Sequence, residues 1–484
     1  MVCNIYEKWC VPFSFLCYTK HSVDLKGETN NMERRNAWKI YTADQLKELD
    51  QINDRYKVCL DEGKTERECV RLTVKEIEKK GYRNLKDIKG SLKAGDKVYA
   101  VCMGKSIAMF QIGKEPLENG MNILGAHIDS PRIDVKQNPL YENEDLAYLD
   151  THYYGGIKKY QWTTIPMSLH GIVVLRDGTE VEVSLGEKEG EPQFVISDLL
   201  PHLSKEQDKR TLDDGIKGEE LNVIVGSLPF KADKGSELVK LNILKLLNEK
   251  YGMVEEDFLT AELEMVPAAK VTDIGFDRSL IGGYGHDDRV CAYPELRAIL
   301  DLDETPDYTA VAVLTDKEET GSDGNTGLNS SYMKYFIADL ARSEGLMVWD
   351  VLSKSKCLSA DVNAAFDPTF PTPFEARNAS YLNRGIVVTK YTGARGKGGT
   401  SDASAEFVGE VTRIFNNANV NWQLGELGAV DAGGGGTVAK YVANLDVDVI
   451  DVGVPVLSMH APFELIAKLD VYMANKAFTA FFKA

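Results

Sequence analysis

The 484-residue chain is 43% apolar and 27% charged, with a formal net charge of −18. This composition suits a globular protein with a large core and room for two domains, and the acidic balance argues against nucleic-acid partners and anionic membranes. Eight scattered cysteines form no CxxC pair, which argues against zinc-finger or thioredoxin chemistry and fits a reducing, cytoplasmic setting; no apolar run approaches a membrane span.

Residues 1–31 differ from the rest. They hold Cys3, Cys10 and Cys17 and a short apolar patch, Val11 to Cys17. No small-residue cleavage site follows the patch, so a signal peptide is not expected. Met32 opens a segment that reads as an ordinary chain start. Residues 1–31 are therefore expected to be a disordered or spurious extension, dispensable for activity.

From Ala43 to about Tyr82 the pattern is helical, with Leu46, Leu49, Ile52 and Tyr56 and then Val70, Val74 and Ile77 at helical spacing. Strands are predicted at Lys97–Cys102 and Ser106–Ile112, and an apolar strand from Met121 runs into His127-Ile-Asp129. Residues 136–268 alternate in short polar and apolar runs and read as a largely β inserted domain, an interface builder with no part in the chemistry. The α/β pattern resumes near Pro267. Helices are predicted after Asp287 (interrupted by Pro294), Gly324, Ser401 and Ala461. Strands are predicted at Thr309–Leu314, Lys356–Leu358, Gly385–Tyr391 and Val447–Val452. This alternation predicts an α/β fold whose mostly parallel sheet is covered by helices, with the catalytic domain divided between residues 32–135 and 269–484.

The apolar run Ala310–Leu314 stops at two adjacent carboxylates, Glu318 and Glu319. Loops beyond strand ends are where open α/β sheets place their chemistry. Neighbouring glutamates in an extended segment point apart, so one can bind a metal while the other acts as base. Four further segments carry ligand-type residues at strand ends or helix starts: His127 with Asp129, His286 to Arg289, Asp361 and His460. Each has a bland alternative, namely a satisfied structural histidine, an N-cap or a turn residue. Together, two histidines and three carboxylates make the donor set of a dinuclear zinc, cobalt or manganese site. Asp129 is placed to orient the His127 imidazole. Gly433–Thr437 lacks the Lys-Ser/Thr of a P-loop, which leaves nucleotide binding unsupported. The basic loop Lys390–Lys397 is either a solvated turn or a carboxylate pocket formed by Lys390, Arg395 and Lys397.

The order His-x-Asp, Asp-Asp, Glu-Glu, Ser-Ala-Asp and Met-His resembles the aspartyl aminopeptidase (M18) family of metallo-aminopeptidases, from about Asn36 to the C-terminus. The resemblance implies two zinc ions. His127, Asp287 and Asp361 would hold one; Asp287, Glu319 and His460 would hold the other; Glu318 would be the general base. It also implies a cis bond at Asp287–Asp288, an inserted dimerisation domain and a dodecamer built from dimers. Ala461-Pro462 after Met-His, and the Tyr153–His170 region, depart from the eukaryotic pattern and look like a bacterial, clostridial-type branch. The resulting expectation is a cytoplasmic homo-oligomeric dizinc aminopeptidase acting on peptides, with Asp or Glu as a possible N-terminal preference. The alternatives are a related dimetal amidohydrolase (a deacylase or carboxypeptidase) and a catalytically silent cage.

Overall fold

The computed structural model describes residues 36–231 and 235–484; the expectation for residues 1–31 lies outside them. The predicted helical stretch forms two helices, Ala43–Glu62 and Glu66–Lys79. Each opens on a threonine capping box, Thr42 with Gln45 and Thr65 with Glu68, which satisfies otherwise orphaned N–H groups.

A nine-stranded mixed sheet forms the centre. Its middle four strands, Thr309–Thr315, Met121–His127, Lys356–Ser359 and Asp448–Gly453, are parallel, and Thr315 lies opposite His127. Antiparallel ladders flank them on both sides. Side chains alternate across the sheet as the pleat requires. Leu124, Ala126, Ala312, Leu314 and Leu358 face a core shared with helices His286–Leu300 and Lys468–Phe482. Ile123, Val311, Val313 and Cys357 face a second core against helix Tyr332–Ser343. The four parallel strands end on one edge, which brings distant segments of the chain to one place.

Residues 132–267 carry a separate six-stranded antiparallel sheet, ending with strand Ala261–Pro267 and including Leu146–Tyr154 and Met167–Val174. This stretch is not purely β, because helix Leu238–Tyr251 packs Val239, Ile243 and Leu247 into its core. A five-stranded sheet not anticipated from sequence joins Leu280–Gly283 to Glu464–Ala467 and Pro455–Leu457. Its strands are only two to four residues long, too short for a periodic signal. The helix predicted after Ala461 accordingly starts later, at Lys468. The helix at His286–Leu300 runs through Pro294 without ending there. Burial against the C-terminal helix, whose Asn475 donates to the Pro294 carbonyl at 3.4 Å, outweighs the lost N–H.

Candidate metal centre

His127 is the last residue of its strand and is buried. Beyond the neighbouring strand ends lie the Glu318–Thr320 turn, Asp361 and, after Pro455–Leu457, His460. Asp287 enters from the start of helix His286–Leu300, where the first residues are not yet helical and the Asp287–Asp288 bond is cis, as the family resemblance implied. Gly285 just before it has φ of +78°, and any side chain there would collide with the Arg289 guanidinium. Lys317, Ser458 and His460 also hold left-handed backbone, at φ of 72°, 57° and 65°. Such strain, about 1–3 kcal/mol per residue, concentrates at functional sites.

Asp287 is central. One carboxylate oxygen lies 3.1 Å from His127 Nε2 and the other 3.2 Å from His460 Nε2. Asp361 approaches His127 Nε2 at 3.8 Å, and Glu319 approaches His460 Nε2 at 3.5 Å. Two donor sets sharing Asp287 result: His127, Asp287 and Asp361, and Asp287, Glu319 and His460, with ligand atoms all within 4.8 Å of one another in each. Glu318 sits beside them, 3.9 Å from His127 Nε2. The sequence-predicted cluster is therefore brought together. His286 is not part of it; its Nδ1 meets the Tyr56 hydroxyl at 2.7 Å, and burial lowers its pKa to about 3. Lys390 and Lys397 pair with Asp402 at 3.5 and 2.8 Å. Among the described residues none of Lys390, Arg395 and Lys397 bonds to the cluster.

The two glutamates occupy a 3-10 turn, not an extended segment. Adjacent side chains still diverge, by about a third of a turn. Asp129 holds this turn: its two carboxylate oxygens accept from the Glu318 and Glu319 N–H groups, each at 3.2 Å. It also touches His127 Nδ1, through its backbone oxygen at 3.0 Å and its carboxylate at 3.4 Å. Sequence reading foresaw the imidazole contact and missed the turn.

Three further supports were missed. Glu464 accepts from the backbone N–H groups of Asp287 (3.1 Å) and His460 (2.7 Å). The Gly156 carbonyl lies 2.8 Å from His460 Nδ1, and the Tyr154 hydroxyl donates to Asp129 at 2.7 Å. Both latter residues lie within the 136–268 stretch, which corrects the expectation that this stretch stays apart from the chemistry. Glycine carbonyls and a tyrosine at a strand end carry no ligand signature. The Gly155-Gly156 pair is the one feature that hinted at close packing.

The side chains alone leave negative charge crowded. Burial is the main reason the Glu318 carboxyl is pushed up to about 8; His127 opposes it, and Glu319, Asp287 and Asp129 add to the rise. Burial likewise pushes Glu319 and Asp361 well above the carboxylate range, helped by their acidic neighbours. For the two imidazoles burial acts downward, but hydrogen bonds to Asp129 and Asp287 win, and His460 rises to about 11. Glu319 Oε1 is buried with no hydrogen-bond partner among the described residues. Nitrogen and carboxylate donors in this surplus are what a borderline divalent cation such as zinc takes. The His127 side chain is 1% exposed and that of His460 35%, so the cluster opens toward solvent on the His460 side.

Comparison with known proteins agrees with this chemistry. Residues 59–482 match the family model described as aminopeptidase I zinc metalloprotease (M18). The probable M18 family aminopeptidase 1 of Clostridium acetobutylicum is 51% identical over 456 residues, covering 93% of this chain and 98% of that one. The crystal structure of the M18 aminopeptidase from Thermotoga maritima superposes with a TM-score of 0.89 at 42% identity, covering 93% and 99% of the two chains. A more distant likeness, in fold alone, is the mApe1 dodecamer of S. cerevisiae, with a TM-score of 0.73 and 19% identity over 90% of this chain and 97% of that one.

Proposed function

The chain belongs to the M18 family of zinc metallo-aminopeptidases, and from that premise we propose that it uses two divalent cations, zinc in the first instance, to remove single N-terminal residues from peptides. The observation that carries this reading is the shared carboxylate of Asp287, with one oxygen toward His127 and the other toward His460. In this assignment His127, Asp287 and Asp361 hold one ion, and Asp287, Glu319 and His460 hold the other. Cobalt or manganese would suit the same donors. A pair of such ions supplies Lewis-acid polarisation of the scissile carbonyl and acidifies the attacking water.

The residues of this chain do the rest. Glu318 takes the proton of the attacking water and returns it to the leaving amine. Asp129 holds Glu318 and Glu319 by their backbone N–H groups, which keeps the base aimed while its side chain stays free to exchange protons. Glu464 fixes the two segments that carry Asp287 and His460 by accepting from their backbone N–H groups. The peptide enters on the side where His460 is exposed. Its free amine meets an acidic surround, which favours aminopeptidase over N-acyl substrates. An Asp or Glu preference would need a local cation against the net charge of −18. Arg395 is the better candidate, because Lys390 and Lys397 are already paired with Asp402.

The stretch 136–268 is proposed as a dimerisation domain. Within it Leu199, Leu203, Leu212 and Leu228 are 54–71% exposed, apolar side chains that a second copy would cover. A cytoplasmic homo-oligomer is the assembly proposed. Among the described residues no helix is long and apolar enough to cross a membrane.

The deciding experiment is a panel of aminoacyl and N-acyl chromogenic substrates, assayed after chelation and after return of zinc, cobalt or manganese. Metal-restored cleavage of aminoacyl substrates is expected. Cleavage of N-acyl substrates alone would make the protein a deacylase, and silence with every metal would make it a cage.

A further inference from the structure

Tyr154 ends a strand of the six-stranded sheet and is 7% exposed. Its hydroxyl donates to Asp129 Oδ2 at 2.7 Å, a short bond to an ionised acceptor and one of the strong kinds. That same oxygen accepts from the Glu319 N–H at a longer 3.2 Å, and its partner oxygen accepts from the Glu318 N–H at 3.2 Å. The hydroxyl is thus the tightest contact on the carboxylate that holds the Glu318-Glu319 turn. The Tyr154 ring makes a second link. The Arg132 guanidinium lies 3.9 Å from its centroid and Lys317 Nζ 5.4 Å from it. Arg132 is itself fixed by Asp134 at 2.8 Å, Glu264 at 3.3 Å and Glu66 at 3.5 Å. Lys317 immediately precedes the turn, in left-handed backbone. Tyr154 therefore reaches the turn twice, at its entry through Lys317 and at its N–H groups through Asp129.

We infer that Tyr154 is a positioning residue for the general base: its hydroxyl locks the Asp129 carboxylate, Asp129 locks the Glu318-Glu319 turn, and the six-stranded sheet thereby sets the aim of Glu318. This rests on the reading of Glu318 as base. Without the hydroxyl, the Asp129 carboxylate keeps only longer contacts, two N–H bonds at 3.2 Å and His127 Nδ1 at 3.4 Å, and gains freedom to rotate. A small misplacement of a reacting group costs rate far more than substrate affinity.

The test compares wild type, Tyr154→Phe, Tyr284→Phe, Asp129→Asn and the Asp129→Asn/Tyr154→Phe pair. Tyr284 is the control: it is also buried, and its hydroxyl donates to the Pro131 carbonyl at 3.0 Å rather than to Asp129. Tyr154→Phe should lower kcat about tenfold, leave KM within about twofold and keep the wild-type metal content. Tyr284→Phe should keep kcat near wild type. In the Asp129→Asn background the effect of Tyr154→Phe should largely vanish, because coupled groups are not additive. Amide hydrogen exchange over residues 317–321 should quicken in Tyr154→Phe and not in Tyr284→Phe. A rise in KM alone, equal losses in both phenylalanine variants, full additivity with Asp129→Asn, or unchanged exchange would each overturn the inference. If wild type cleaves no aminoacyl substrate, the base assignment falls, while the exchange measurement still decides whether Tyr154 holds the turn.

Discussion

Glu318 and Glu319 share one turn and meet different surroundings. The Glu319 side chain is 3% exposed and faces His460, whereas that of Glu318 is 16% exposed and faces His127 across a wider gap. The deeper one is suited to ligation and the more open one to proton transfer with water. Glu318→Gln keeps size and polarity but removes the proton acceptor. It should retain both metals and near-normal affinity while turnover falls roughly 10²–10⁴-fold. Glu319→Gln should instead release metal, since a neutral amide is the poorer ligand, and added zinc should recover part of its activity. Metal analysis beside steady-state kinetics checks both. Full metal loss in Glu318→Gln, or near-wild-type turnover, would reverse the two roles.

At the level of elements, the junction between helix Glu66–Lys79 and the six-stranded sheet is polar and buried. His170 of the sheet meets Glu68 of the helix at 2.9 Å through Nδ1, and Ser168 and Glu187 at 3.1 and 3.5 Å through Nε2. Lys64 and Lys270 also face Glu187, at 3.8 and 2.9 Å. Burial acts to lower the His170 pKa, but Glu187 and Glu68 win, and it lies above the ordinary 6.5. Burial acts to raise Glu187, yet His170, Lys64, Lys270 and Ser168 hold it down at about 2. The signs follow from linkage. The raised histidine contributes stability that is complete below pH 6.5 and lost as pH rises through its folded pKa. The depressed glutamate contributes stability present above pH 4.5 and lost as pH falls toward 2. This junction is therefore firmest between about pH 4.5 and 6.5. Thermal unfolding across pH should show His170→Gln removing the alkaline part of the dependence. An identical Tm profile for wild type and variant would refute the assignment.

For the whole molecule, assembly is the open quantity that a simple measurement reaches. The proposed dimerisation role of residues 136–268 predicts a species larger than a 53.7 kDa monomer in solution. Closed dimers are the commonest such assembly. Charge at an exposed apolar contact should shift the equilibrium toward smaller species, so Leu203→Asp or Leu228→Asp should elute later than wild type with the fold intact by circular dichroism. Monomeric wild type by light scattering at working concentration would remove the interface. Because Tyr154 and Gly156 belong to the same stretch, loss of assembly accompanied by loss of turnover would be consistent with that sheet supporting the site.

The chain by itself determined the parts that rest on local pattern. Val-rich runs of five to seven residues could only be buried strands, and carboxylates or histidines directly after them had to emerge on one sheet edge once the strands ran parallel. That is how His127, Glu318, Glu319 and Asp361 became candidates, whereas Asp287 stands at a helix start and His460 follows a strand of the five-stranded sheet, and the division of all six into ligands and base came from the family resemblance. Tertiary structure decided what depends on meetings between distant segments. The strands of the five-stranded sheet are too short to show alternation and exist only because their neighbours pair with them. Pro294 stays helical because burial outweighs a lost hydrogen bond. Glu464, Tyr154 and the Gly156 carbonyl hold the cluster through bonds spanning 4 to 304 positions of the chain, and beyond the Gly155-Gly156 pair nothing in their local sequence distinguishes them from ordinary strand ends. The basic loop shows the converse: its three cations read as either a solvated turn or a pocket, and Asp402 pairs with two of them, a pairing that folding alone creates.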